Sequence, residues 1–196
     1  MKTYVNRGEE ESAVRSHPWS TSEANPDHRY YDFRARPDLI RSVLEDFRPW
    51  DAQPAVGAFY DLVLWINGPD SPFASNDCAF NGPADNTEPT VARRLQCSGR
   101  LGLLFRDLLA NTKEPEVTRL VDGIHARLSV LDPELVWGAV GTTRLNVDYL
   151  ELHGGGARGA QVLLSFWAWG DDEPEVFENL ARVVAGLGQA LRSIAG

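Results

Sequence analysis

The chain has 196 residues, with 19 basic and 28 acidic side chains, a formal net charge of −9 at pH 7, 43% hydrophobic and 24% charged residues. That length suits one domain whose core needs no metal or disulfide staple, and the composition is that of a soluble globular protein. The acidic balance opposes a general nucleic-acid binder, and no apolar stretch approaches the ~20 residues that span a bilayer, so neither nucleic acid nor membrane is expected as a partner.

Residues 1–30 read as a polar arm with little periodicity, and Trp19 is its large apolar anchor. Mostly irregular structure is expected there, pinned by Trp19 and by the aromatic run Tyr30, Tyr31 and Phe33. The N-terminus has neither an apolar core nor a small-residue cleavage site, which predicts a cytoplasmic location. A single domain is expected over 31–196.

Pro37 and the spacing of Leu39, Ile40, Val43, Leu44 and Phe47 predict a helix over 37–48, stopped by Pro49. The segment 55–67 is read as a second helix, from Pro54 and the spacing of Ala55, Ala58, Phe59, Leu62 and Ile66. Its β-prone stretch at 62–66 leaves a buried strand as the alternative. Residues 73–80 read as a short strand and 81–89 as a turn-rich loop. Leu95, Cys97, Gly99, Leu101, Leu103 and Phe105 then alternate with polar residues, as a half-buried antiparallel strand requires.

Residues 115–131 carry a helical stripe from Val117 to Leu131. Residues 144–169 read as a β-hairpin, whose strands alternate through Leu145, Val147 and Tyr149 and through Val162, Leu164, Phe166 and Ala168. The turn between them is the glycine-rich stretch 153–159. A last long helix starts at an Asp171 or Asp172 cap, with Glu173 and Glu175 in its first turn. The sequence EPEV opens both this helix and the one at 115–131, but the likeness ends after four residues. The expected fold is α+β: two layers, an antiparallel sheet of about four strands covered by helices.

Several chemistries lack their residues. Only Lys2 and Lys113 are lysines, and neither stands in a glycine-rich loop, so P-loop and Schiff-base chemistry are not expected. HGGG at 153–156 has the composition of an esterase oxyanion loop, but the chain has no GxSxG nucleophile elbow. His17, His28, His125 and His153 form neither HxH nor HExxH, and Asp77, Asp85 and Glu88 lack EF-hand spacing. No metal or cofactor is therefore expected. Cys78 and Cys97 give no CxxC pair and read as buried thiols that a suitable register could make neighbours.

Two regions remain as candidates. The outward strand faces gather Arg94, Arg100, Asp148, Trp167 and Trp169, and Trp and Arg are the residues enriched at binding hot spots. They point to a non-enzymatic protein-binding domain of the small acidic inhibitor, immunity or adaptor type. The partner would be another protein or, in a scaffold role, a second copy. The other candidate is an enzyme built on Asn76, Asp77 and Cys78, with an arginine such as Arg100 holding an anionic substrate.

Overall fold

In the computed structural model, which describes residues 1–6, 15–18, 31–152 and 156–196, six strands form one mixed sheet. They are β1 (Lys2–Asn6), β2 (Arg15–His17), β3 (Phe73–Asp85), β4 (Leu95–Phe105), β5 (Gly138–Tyr149) and β6 (Ala157–Gly170). The order is β1-β5-β6-β4-β3. β2 pairs with the same edge of β5 as β1, further along. β3, β4, β6 and β5 are antiparallel neighbours, whereas β1 and β2 run parallel to β5.

The α+β class therefore holds, but the sheet is larger than four antiparallel strands. The two extra strands come from the segment read as an irregular arm; five and three residues are too few to show a period. Trp19, Tyr30 and His153 lie outside the described residues.

The helices are α1 (Ile40–Val43), α2 (Pro54–Asn67), α3 (Glu114–Leu131) and α4 (Glu173–Ala195). Segment 55–67 is thus helical, and α4 begins where the Asp172 side chain accepts from the Glu175 amide. The single helix expected over 37–48 is broken. A 3-10 turn (Pro37–Leu39) leads into α1, and a second 3-10 stretch (Glu45–Trp50) follows. Leu44 supplies the break with ψ of 74°, outside the helical region, and Pro49 has no N–H to extend the second stretch as an α-helix. β3 also runs on to Asp85 through the expected loop. β5 starts earlier than the alternation suggested, because Gly138 and Gly141 erase the pattern there.

The larger core lies between the sheet and α2, α3 and α4. Val140, Leu164, Phe166, Leu101 and Phe80 meet Phe59, Ile124 and Val184 in it. Alternation puts Leu103 in this core and its neighbour Leu104 on the other side of the sheet. On that other side Leu104 packs with Ala74, Val147 and Tyr149, flanked by Leu108 and Leu152. Ala74 is on β3 and Tyr149 on β5, strands that are not neighbours. The sheet must therefore coil over its own second face at this end, in the sense of ordinary strand twist sharpened by a bulge in β3.

Candidate functional site

The bulge builds the site. Ser75 stands opposite Leu103 and Asp77 opposite Gly102, so Asn76 is the extra residue. Asn76 and Asp77 both lie over the face away from the helices, and Gly102 gives them room. A Cβ at position 102 would stand 2.6 Å from Asn76 Oδ1 and 3.0 Å from Asp77 Cβ.

The Asp77 carboxylate is nearly inaccessible, with 3% of its side chain exposed. Arg100, on the neighbouring strand, donates from Nε to both carboxylate oxygens at 3.1 Å. Arg15 donates from Nη1 to Oδ2, also at 3.1 Å. Coiling of the sheet is what lets β2 reach β3. Arg100 is exposed, and its Nη groups make no hydrogen bond to the described residues.

Behind this ion cluster the half-buried Asn76 meets the buried Gln161. Asn76 Nδ2 donates to Gln161 Oε1 at 2.6 Å and approaches His17 Nδ1 at 3.5 Å. Asn76 Oδ1 and Gln161 Nε2 are buried with no hydrogen-bond partner among the described residues. The His17 ring stands edge-on to Tyr149 at 5.7 Å, and the Tyr149 hydroxyl donates to Ala160 O at 2.8 Å.

Burial holds His17 below its ordinary pKa of 6.5; Glu151 and Asp32 oppose this and Arg34 adds to it. The folded state therefore prefers neutral imidazole and binds fewer protons than the unfolded chain. Its contribution to stability is present above pH 6.5 and is lost as the pH falls from there through the lowered folded value. We expect the urea midpoint to drop between pH 7 and 5.5, and the drop to shrink in a His17→Phe variant, which keeps the ring contact with Tyr149. Equal slopes in the two proteins would mean that another group causes the drop.

A cleft of about 660 Å³ opens beside the cluster. One wall is residues 76–79 of β3. Residues 42–47 form the facing wall, Tyr31 and Phe33 close one side, and Arg100 stands at the rim. Side chains alternate across a sheet, so four consecutive strand residues can line one cleft only if it faces the strand's edge. Phe47 fixes the facing wall: its ring stacks between Phe59 at 5.0 Å and Phe80 at 5.1 Å.

Asn76, Asp77, Cys78 and Arg100 are thus together. Cys78, however, pairs with Leu101 and packs against the core. Burial, with the Asp77 carboxylate adding to it, pushes its thiol well above the ordinary value. Such a thiol carries almost no thiolate near neutral pH, which works against nucleophilic attack. Cys97, pushed up to about 12 by burial, lies on the strand next to that of Cys78 but opposite the register shift beyond Asn81, whereas Cys78 stands opposite Leu101, so the register does not make the two thiols neighbours.

The expected Arg/Trp face is only partly assembled. Trp167 lies half-buried against Gly141, where a Cβ would come within 3.2 Å of its ring. Trp169, on the same side, is only 6% exposed and so is covered internally. Arg94 is exposed at the start of β4 and bonds to Asp171 through its backbone amide and its Nε. Asp148 is a correction. It pairs with Arg158 at 3.1 Å on the side opposite Trp167. The unbroken β5–β6 register, in which Val140 faces Phe166 within the core, puts the even-numbered residues of β5 toward the helices. Leu145, Val147 and Tyr149 do alternate with polar residues and are buried, but Val147 and Tyr149 are so in the second apolar cluster.

Arg15, His17 and Gln161 belong to the site without a sign in the sequence. Each takes its role from a partner dozens of positions away, and no local pattern marks them. Among the described residues, no helix is long and apolar enough to cross a membrane, and no group of three or more His, Cys, Asp or Glu is placed to hold a metal ion. Compared with known proteins, the chain matches no family model, no curated protein and no solved structure.

Proposed function

We propose that the chain is a protein-binding domain of the small acidic inhibitor, immunity or adaptor type. It would meet its partner with the side of the sheet that faces away from α2, α3 and α4. The observation that carries this reading is the company on that side. Trp167 is half-buried, Tyr4 is 54% exposed and Arg100 stands at the mouth of the cleft. Aromatic rings and an arginine anchored by a buried carboxylate are the side chains that dominate contact energy when a partner removes them from water. The net charge of −9 supports steering toward a basic partner surface. The setting of Cys78 gives no such support to nucleophilic catalysis at that residue.

The test is quantitative affinity purification from the source cell with the wild-type chain, Tyr4→Asp and Trp167→Asp. The expected result is one partner at stoichiometric level. Its recovery should fall about tenfold in each variant while circular dichroism and melting stay unchanged for Tyr4→Asp. A wild-type chain that recovers no stoichiometric partner and runs as a monomer in light scattering would sink the reading.

A further inference from the structure

The cleft beside β3 has a property that an ordinary surface pocket lacks: among the described residues, one of its walls is an unpaired strand edge. Among those residues β3 ends the sheet and pairs only with β4. Along 77–81 the pairing is regular, from Asp77 opposite Gly102 to Asn81 opposite Ser98. No backbone group of 77–81 bonds to anything other than β4 among the described residues. Both ends of this window are closed to longer pairing. The bulge at Asn76 interrupts it on one side, and on the other a register shift between Asn81 and Ala84 spans Pro83. Bulges, a proline and an inward-turned charge such as Asp77 are the usual devices that keep a sheet edge from joining another sheet. They leave room for about five residues of extended chain, roughly 17 Å, and no more.

The side chains around the window select its occupant. Cys78 and Phe80 point into the core, so Asp77, Ala79 and Asn81 share the opposite face with Arg100. Ala79 lies directly between Arg100 and the edge, in register with it. Being small, it lets the guanidinium reach across to an added strand. Nε is committed to Asp77, while the Nη groups make no hydrogen bond among the described residues. Glu45 and Asp46 on the facing wall oppose a polyanion, so the fit is to an isolated acid.

We propose that the cleft takes an extended segment of a partner protein, added as a strand to the 77–81 edge, with one aspartate or glutamate set on Arg100. Main-chain bonds along the edge supply affinity, and the single carboxylate fixes register. This deepens the protein-binding reading and rests on it.

The probe is a display library of random nonapeptides selected on the full chain. Enriched peptides should share an acidic residue at one position. For a synthetic copy of the strongest binder, Arg100→Gln should weaken binding about tenfold. Replacing the peptide's acid by its amide should do the same, and it should cost little more in the Arg100→Gln protein. Ala79→Glu, which leaves the Asp77 cluster intact, should also weaken binding about tenfold by setting a carboxylate in the path. Bound peptide should slow hydrogen exchange at amides within 77–81. The proposal is overturned by a selection that yields no binder or no shared acid, by binding indifferent to Arg100→Gln and Ala79→Glu, or by unprotected amides. It is equally overturned if N-acetylglutamate amide alone binds as tightly as the peptide, since the site would then be for a small anion. A concentration-dependent dimer that protects these amides without peptide would show that a second copy fills the cleft. Loss of the native partner in Tyr4→Asp alongside any of these failures would leave the protein-binding reading standing while this inference falls.

Discussion

Replacing Phe47 by alanine should cost about 3–5 kcal/mol, a loss that lowers the melting temperature of a chain this size by about 10 °C. Phe47 is 1% exposed and stacks between Phe59 and Phe80, and Tyr60 stands a further 5.8 Å away. Its ring ties the irregular stretch Glu45–Trp50 to α2 on one side and to β3 on the other. Only 3-10 turns hold that stretch, so the backbone around the cavity left by truncation is less rigid than an α-helix or a sheet. Phe47→Leu, which keeps most of the volume, should cost about 1–1.5 kcal/mol. Urea denaturation of the two variants is the measurement. Similar small losses for both would mean that the aromatic stack is not what fixes the cleft's facing wall.

Removing both arginines from Asp77 should cost much more than the two single losses added together. Arg15→Gln and Arg100→Gln are each expected to cost about 1 kcal/mol, because the remaining guanidinium still serves the carboxylate and the removed one was partly solvated. Their side chains are 30% and 46% exposed, against 3% for Asp77. The double variant strands a buried carboxylate, for which about 3–5 kcal/mol is the ordinary scale. Asp77→Asn introduced into the double variant should recover most of that loss, since an amide has no charge to desolvate. A double-mutant cycle in urea decides it. Costs that add within about 0.5 kcal/mol would show the two arginines to be independent of each other.

The elements that could be read in the sequence are those whose signal is local. α4 shows its cap, its acidic first turn and its stripe within one stretch of chain, and β4 shows an uninterrupted alternation. The spacing over 37–48 suggests a single helix because Phe47 fits a helical stripe. It is buried instead by a 3-10 stretch that places it between two other rings. The face of β5 is hidden in the sequence for a different reason. Alternation reports that one side of a strand is buried, not which side, and coiling gives this sheet an apolar cluster on each side. At the site, Asn76, Asp77, Cys78 and Arg100 could be named because β3 and β4 are consecutive strands. Arg15, His17 and Gln161 could not, since β2 pairs with a strand far along the chain and Gln161 meets Asn76 from 85 positions away.

The two short strands on the β5 edge carry a kinetic consequence. β3 with β4 and β5 with β6 are hairpins whose ends lie close in sequence, so their contacts cost little loop-closure entropy. β1 is tied to β5 across 138 positions, as in the bond from the Thr142 hydroxyl to Tyr4 O. Pairing of that range rewards the chain only after the rest of the sheet is in place, so the N-terminal strands close the edge last. Arg15 travels with β2. The Arg15–Asp77 ion pair is therefore a property of the finished fold, acquired in the same late step that completes the sheet.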